Sequence, residues 1–388
     1  MRILFVIGGG FFPSTFYGGP VDAVFDLATG LSMSGWHVDI LTTDADGPGR
    51  RVAVPTEKWM TVTPRVRVWY SKHHLSHTFA PSFLPELWRS VTQADLVHLS
   101  GVYSMPAMPV LFTCRVQNVP LAWAPHGSLH PWGSTLKLAL KTTWRGVCSA
   151  LAPFSTTLLA ASERELDACR TLFPSLSSVC IPGAIRIPKI LGPKAQSDVL
   201  RLISFGRLHP VKGLERLLAA CAALLSAAAF PWTLEIAGQG EASYCAYLES
   251  LVRQFRLCDH VRFKGHLQGL EKAEFLRGAS VAVFPSYTEN FCISVAEALS
   301  YGTPVIVSDN TPWQDVDRME CGFCVSNSVP SIVNAIQRIA TADLLQMGAN
   351  GRLWVTREFS LESRLAQYLR VFESVSTRAA SNSSAVNL

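Results

Sequence analysis

Two cations, Arg207 and Lys212, stand in the segment Phe205-Gly-Arg-Leu-His-Pro-Val-Lys-Gly213, which follows an apolar run and leads into a helical pattern. The start of a helix favours anions through its unpaired N–H groups. Arg grips phosphate oxygens in bidentate fashion and Lys adds a point charge, so this spacing suits a phosphate. A second constellation runs Ser286-Tyr-Thr-Glu-Asn-Phe-Cys-Ile-Ser-Val-Ala-Glu-Ala-Leu-Ser-Tyr-Gly-Thr-Pro-Val-Ile-Val-Ser-Asp309 and carries Glu289 and Glu297 with seven residues between them. Glu289 falls in a strand-end loop, placed to accept hydrogen bonds from sugar hydroxyls. Glu297 falls inside the next helix, where an acidic side chain can reach a vicinal diol such as ribose. The N–H groups from Phe291 to Ser294 would form the start of that helix and face a pyrophosphate.

The first half of the chain offers weaker signals. In Tyr17-Gly-Gly-Pro20, Gly18 and Gly19 would let the backbone come close to a bound group. Gly8-Gly9-Gly10 is followed by Phe11, Phe12 and Pro13, so the G-x-G-x-x-G fingerprint is not met, which argues against a nicotinamide cofactor. His126, in Trp123-Ala-Pro-His-Gly-Ser-Leu-His-Pro-Trp132, follows a strand and could bond a sugar hydroxyl or steady developing positive charge; a lone histidine is more often structural. His73, His74 and His77 have no carboxylate at ligand spacing and read as an exposed acceptor-side loop. Asp44 with Asp46, and Asp315 with Asp317, resemble cation-holding pairs but read as ordinary loop acids, because Arg207 and Lys212 already answer the phosphate charge. No metal and no cofactor is expected. The ten cysteines are mostly isolated in apolar segments and read as reduced core residues, including the close pair Cys321-Gly-Phe-Cys324.

These residues need a scaffold that delivers them to strand ends. Short apolar runs at Ile3–Ile7, Val38–Thr42, Leu96–Leu99, Leu121–Ala124, Thr157–Ala160 and Ser178–Ile181 read as buried parallel strands, with helix-length segments such as Val21–Ser34 between several of them. The pattern restarts at Leu202–Phe205, Leu234–Ala237, Val261–Phe263, Val281–Phe284 and Pro304–Val307, separated by helical Leu214–Leu225, Tyr244–Phe255, Glu271–Arg277 and Ser294–Leu299. Two α/β, Rossmann-like domains facing across a cleft follow from this alternation, with ligands at the carboxyl ends of the strands. The expected divisions are residues 1–185, a linker over 186–198, a second domain over 199–360, a C-terminal helix over 361–375 that crosses back to the first domain, and a disordered tail over 376–388.

The 388 residues supply two cores, with 48% hydrophobic content and only 16% charged residues, and the net charge of +5 is too small to argue for nucleic acid. The apolar start MRILFVIGGGFF lacks a small-residue cleavage site and fits a first strand better than a signal peptide. No transmembrane helix is predicted. The stretch Thr135–Arg145 is basic and partly amphipathic without acids, and reads equally as a contact for anionic lipid or as a solvated face. Cytoplasmic location with peripheral attachment to the inner face of the membrane is the corresponding expectation.

Taken together, these motifs resemble the retaining nucleotide-sugar glycosyltransferases of family 4, which have the GT-B architecture, and the resemblance covers nearly the whole chain. Its most specific carriers are Glu289 and Glu297 before Gly302-Thr-Pro-Val305, and Gly206-Arg-Leu with Lys212-Gly213. Ala237-Gly-Gln-Gly-Glu241 and Val261-Arg-Phe-Lys-Gly265 support it, while the His126 segment and Thr311-Pro-Trp313 look like members that build bacterial surface polysaccharides. The resemblance implies a hexosyl transfer from a nucleoside-diphosphate sugar to a saccharide or lipid-linked acceptor. It implies that Arg207 and Lys212 hold the diphosphate and Glu297 the ribose. Glu289, with the backbone at Phe291 and Cys292, would meet the sugar, and His126 its hydroxyl. Gly19 would approach the phosphate, Gly238 and His266 would lie near the base, and Gly18, Gly206, Asn290 and Ile293 would be further donor-binding residues. Cys292 stands where the family has Gly, and Pro182-Gly-Ala-Ile-Arg186 replaces the usual Pro-Asn-Gly pattern. An epimerase on the same architecture, or a non-catalytic nucleotide-sugar-binding subunit, is the alternative.

Overall fold

The computed structural model describes residues 1–14, 16, 19–47, 49–74, 80–129, 138–189, 197–227 and 230–386. The chain divides into two compact units, residues 1–184 with 361–388, and residues 185–360.

In the first unit the order is β1 (Arg2–Gly10), α1 (Gly19–Met33), β2 (His37–Thr43), β3 (Trp59–Thr63), β4 (Val66–Ser71), α2 (Phe83–Gln93), β5 (Leu96–Ser100), α3 (Ala107–Val116), β6 (Leu121–Ala124), α4 (Leu138–Leu151), β7 (Thr157–Ala160), α5 (Glu163–Leu172) and β8 (Ser177–Cys180). The eight strands lie in the order β3-β4-β2-β1-β5-β6-β7-β8. Only β3 runs antiparallel to its neighbour, as a hairpin with β4 that the sequence reading does not include. Successive residues of β1 serve opposite faces, as the pleat requires. Leu4 and Val6 pack under α2 to α5, whereas Ile3 and Phe5 pack under α1.

The second unit holds β9 (Leu200–Phe205), α6 (Leu214–Ala227), β10 (Trp232–Ala237), α7 (Ala242–Gln254), β11 (Val261–Gly265), α8 (Gly269–Gly278), β12 (Val281–Phe284), α9 (Ile293–Ser300), β13 (Val305–Ser308), β14 (Gly322–Val325), α10 (Val329–Ile339) and α11 (Leu344–Phe359). Its strands are all parallel, in the order β11-β10-β9-β12-β13-β14. Ile185, read as the end of the first domain, and residues 186 to 189, read as the start of a linker, are bound to this unit: Ile185 bridges to Ser360, and the Arg352 guanidinium donates to the Pro188 carbonyl at 2.5 Å.

The last helix, α12 (Leu361–Val386), belongs to the first unit, where Phe372 and Val375 are fully buried beside Trp36 and His98. Gly30 of α1 lets it approach, since a Cβ there would lie 3.2 Å from Leu365. From Ser376 as far as Val386, the stretch expected to be a disordered tail is instead a continuation of this helix. Its residues are polar, but extending an existing helix fixes one residue per hydrogen bond and needs no new nucleus. Among the described residues no helix is long and apolar enough to cross a membrane.

His98 on β5 is 2% exposed, enclosed by Phe5 and Phe372, and its Nδ1 has no hydrogen-bond partner among the described residues. Burial, reinforced by the nearby His126 ring, lowers its pKa to about 3 from 6.5. Between those values the unfolded chain binds a proton that the folded chain does not, so stability falls as the pH drops through that window, by up to about 1.4 kcal/mol per pH unit. His98→Phe should flatten this acid limb, because an apolar ring suits the site and cannot titrate. Urea denaturation of both proteins at neutral pH and near pH 4 measures the difference; an unchanged slope in the variant would move the acid sensitivity elsewhere.

Candidate active site

Strands β9 and β12 are neighbours although two βα units separate them in sequence. The chain steps outward from β9 to β10 and β11, then returns to β12 on the other side. Ligands of such sheets bind outside the carboxyl ends where the order reverses. Here those two ends carry the Arg207–Lys212 segment and the Glu289 loop. The Lys212 ammonium donates to Oε1 of Glu289 at 2.6 Å, and the Ser286 hydroxyl donates to the same oxygen at 2.7 Å. Burial opposes the charge of Lys212, but the Glu289 carboxylate outweighs it and holds the Lys212 pKa above the ordinary lysine value. Glu289 is therefore no free carboxylate at a rim: its side chain is 11% exposed and already paired.

Backbone geometry makes this meeting possible. After β9 the chain forms a short 3₁₀ turn, Pro210–Lys212, capped by His209, whose Nδ1 accepts from the Val211 N–H at 3.2 Å. Gly213 closes the turn at φ +62°, and a Cβ there would sit 2.1 Å from the Pro285 carbonyl oxygen, so the two loops touch main chain to main chain. The Tyr287 N–H donates to the Val211 carbonyl at 2.8 Å. Beyond it, the Tyr287 hydroxyl donates to Glu215 at 2.7 Å and accepts from Arg216 at 2.8 Å. Gly238, after β10, holds φ +144° with its would-be Cβ 1.8 Å from the Gly206 carbonyl. Between the strand ends lies a recess lined by Ser204, Arg207, Lys212, Phe284 and Ser286 among others, with Arg207 exposed at its edge.

The Glu289 loop is anchored from behind by an aromatic cluster. Trp313 donates its indole N–H to the Phe291 carbonyl, and the Phe291 ring lies 5.3 Å from Trp313 and 5.5 Å from Phe359. Cys292 then caps α9 at φ +62°, the left-handed region that favours glycine. Burial, followed by the Glu289 carboxylate, pushes the Cys292 thiol up, so it stays protonated at neutral pH. Asn290 and Ile293 flank this corner, half-buried. On α9 itself, Glu297 is paired: the Lys272 ammonium donates to its Oε1 at 2.6 Å. His266 is exposed just after β11, 2.7 Å from the Gln268 amide.

Gly19 and His126 belong to the first unit, and Gly18 lies outside the described residues. Gly19 opens α1. His126 follows β6 at φ +52° with its side chain exposed. The next N–H, of Gly127, donates to Oε1 of fully buried Glu165 at 2.5 Å, while Ala161 donates to Oε2 at 2.8 Å, so a buried carboxylate shapes the turn that displays the histidine. Two expectations are corrected here. His73 is buried, with Nδ1 2.6 Å from Asp44, and His77 lies outside the described residues. Asp44 and Asp46 are likewise buried, Asp44 paired with Arg51 at 3.1 Å and Asp46 accepting from Ser14 at 2.8 Å, because their loop folds back on the end of β2. Asp315 does behave as a loop acid, paired with Arg318. Among the described residues no group of three His, Cys, Asp or Glu side chains could hold a metal ion.

The sequence reading did not nominate Ser286, Lys272, Tyr287, Trp313 or Glu165. Ser286 and Tyr287 were within reach, since they adjoin Glu289. Lys272 and Glu165 act on partners that only the fold brings close.

Cys292 yields a direct test. Cys292→Gly exchanges a left-handed penalty of about 1 kcal/mol for the loss of a small buried side chain, and the melting temperature should move by no more than a few degrees. Cys292→Val forces a β-branched residue into the same φ at roughly 1–3 kcal/mol, and should lower it by several degrees. Equal melting temperatures would mean that the backbone here relaxes freely.

Known proteins align with both units. A glycosyl transferases group 1 model matches residues 192–354, and a glycosyl transferase 4-like domain matches residues 18–181. An uncharacterized glycosyltransferase of Haemophilus influenzae is 27% identical over 363 residues, covering 90% of this chain and 95% of that protein. Other curated relatives match over shorter stretches, the chain spanning 33% of one and 52% of another. Among solved structures, sucrose-phosphate synthase from Thermosynechococcus elongatus shares the fold with a TM-score of 0.77 at 22% identity, over 96% of this chain and 98% of that one. HepE of Anabaena, solved in complex with UDP-glucose, gives 0.72 at 16% identity, over 96% and 100%. Two domain matches, one on each Rossmann-like unit, place this chain in the glycosyltransferases of the GT-B fold.

Proposed function

We propose that this protein transfers a hexose from a nucleoside-diphosphate sugar to a hydroxyl of a saccharide or lipid-linked oligosaccharide, with retention of configuration and without a metal ion, in the synthesis of a bacterial surface polysaccharide. Such a transfer draws on the cytoplasmic pool of activated sugars, so the proposal carries a cytoplasmic location. The observation that carries it is the meeting of Arg207, Lys212 and Glu289 at the switch point between β9 and β12, beside the start of α9. The UDP-glucose held by the Anabaena neighbour supports a nucleotide-sugar donor on this architecture.

The reaction breaks the bond between the anomeric carbon and the diphosphate and forms one to the acceptor oxygen, and the acceptor's proton leaves with the departing phosphate. The demand on the protein is to stabilise charge on that phosphate, which preorganised cations and helix-start N–H groups do best. Lys212, held protonated by Glu289, supplies one such charge at any physiological pH. As the donor binds, Lys212 exchanges part of its carboxylate contact for a phosphate oxygen. The Glu289 oxygen thus released accepts a hydroxyl of the transferred sugar. Pairing with Lys212 and binding of the sugar are then two roles of one carboxylate. Glu297, turned by Lys272, has a second oxygen for the ribose diol.

Binding comes first in testing. Thermal shift and calorimetry against UDP, GDP, ADP and their sugar conjugates, with and without EDTA, should find one nucleotide sugar that stabilises the fold despite chelation. Lys212→Ala and Glu289→Ala should stay folded with a lowered melting temperature, because each leaves a partly buried partner unpaired, and should lower turnover roughly 10²- to 10³-fold. Binding of nicotinamide dinucleotides alone, or near-normal turnover in either folded variant, would overturn the assignment.

A further inference from the structure

Lys272 stands where its own helix does not favour a cation. It is the fourth residue of α8, and the partial positive charge of a helix start repels an ammonium there. Its partner lies on another helix, since the ammonium donates to Oε1 of Glu297, in the middle of α9, at 2.6 Å. The pair does little to hold the two helices together. Its side chains are 30% and 25% exposed, and an ion pair so open to water adds little stability. The docking is done elsewhere: Phe275 and Leu276 of α8 are buried, and the Thr303 hydroxyl, beyond the end of α9, donates to the Leu276 carbonyl at 2.8 Å.

The surroundings of the lysine say what it does. Its ammonium lies 6.0 Å from the ring of Phe205, the last residue of β9, so it stands at the strand end that also delivers Arg207 and Lys212. Phe205 is itself fixed by Phe275 at 6.1 Å and Phe284 at 5.5 Å, which gives the lysine a rigid wall. Both carboxylates of the site therefore carry an ammonium from another element, Glu289 that of Lys212 and Glu297 that of Lys272. Neither sets its full negative charge against a diphosphate. For Glu297 the contact has a second effect. The last torsion of a glutamate is broad, so an unbonded carboxylate turns through many orientations. The hydrogen bond to Oε1 stops that rotation and holds Oε2 in one orientation, so a hydroxyl meets an acceptor that is already ordered.

We propose that Lys272 is a positioning residue that makes the site select ribose over 2′-deoxyribose in the nucleotide it binds. The inference rests on the nucleotide-sugar reading above and adds to it a residue that acts through Glu297. Removing the 2′-hydroxyl takes away one hydrogen bond to a charged acceptor, and the contrast is greatest when that acceptor is fixed and cannot turn to another partner. A lysine that served only to attract phosphate would favour ribo- and deoxyribonucleotides alike.

Calorimetry of the full chain with UDP, GDP and ADP, each beside its 2′-deoxy counterpart, tests this. Wild type should bind one of the three ribonucleotides at least about tenfold more tightly than its deoxy form. Lys272→Met, which keeps the length of the stem and removes the charge, should leave the melting curve nearly unchanged and reduce that preference roughly three- to tenfold. In a Glu297→Ala background the same substitution should leave the preference where Glu297→Ala alone puts it, because the lysine then has nothing to orient. Equal loss of affinity for both sugars in Lys272→Met would overturn the inference and make the lysine an attractor of phosphate, with the donor reading intact. So would a wild type indifferent to the 2′-hydroxyl, or an effect of Lys272→Met on the preference that persists without Glu297. Binding of none of the nucleotides would overturn the inference and the donor reading together.

Discussion

A lysine ammonium and a glutamate carboxylate 2.6 Å apart, contributed by loops 77 residues apart in sequence, set the constraint on which the second unit's site depends. Neither charge tolerates partial burial alone, and each makes the other admissible. To bring them together, β9 and β12 must be adjacent, which requires the chain to leave and re-enter the sheet at this point. The loops must also touch without side chains between them, and Gly213 against the Pro285 carbonyl provides that contact. Tyr287, Glu215 and Arg216 then tie the same loops on the outer side. The result is a recess whose charges are ordered before any ligand arrives, which is the property electrostatic catalysis requires.

The alternation of strand and helix was legible because parallel strands buried on both faces are continuous apolar runs, and Val281–Phe284 or Thr157–Ala160 can hardly be anything else. The hairpin of β3 and β4 was not, since Trp59–Thr63 is an edge strand with two of its five residues exposed and none buried, and what recommends it is the packing of Trp59 on Trp69. The helix after Ser376 went unread for a related reason: composition describes what a segment would do alone, and this one continues a docked helix.

Within the site, residue types were legible and their partners were not. Arg207, Lys212, Glu289 and Glu297 announce phosphate and hydroxyl chemistry by type and position. That Glu297 is held by Lys272, 25 residues away on the preceding helix, is a product of the packing of α8 near α9. His73 shows the opposite case. Its neighbours in sequence suggest an exposed loop, yet Asp44 and Arg51 enclose it, because the ends of β2 and β4 are adjacent in the sheet.

Cys292 shows how local preference yields to surrounding structure. A residue with a Cβ avoids positive φ, and the cost persists only where neighbouring contacts over-determine the backbone. Here they do so from both sides. Trp313 fixes the carbonyl of Phe291, the Val295 N–H donates to the carbonyl of Cys292 at 3.0 Å, and Lys212 with Ser286 holds Glu289 three residues earlier. The side chain that this geometry admits is small and kept neutral by burial first and by the carboxylate beside it second, so it adds no charge to compete for Lys212. A thiol can therefore stand where a glycine would be easier, and the position spends a little backbone strain without disturbing the ion pair on which the loop is built.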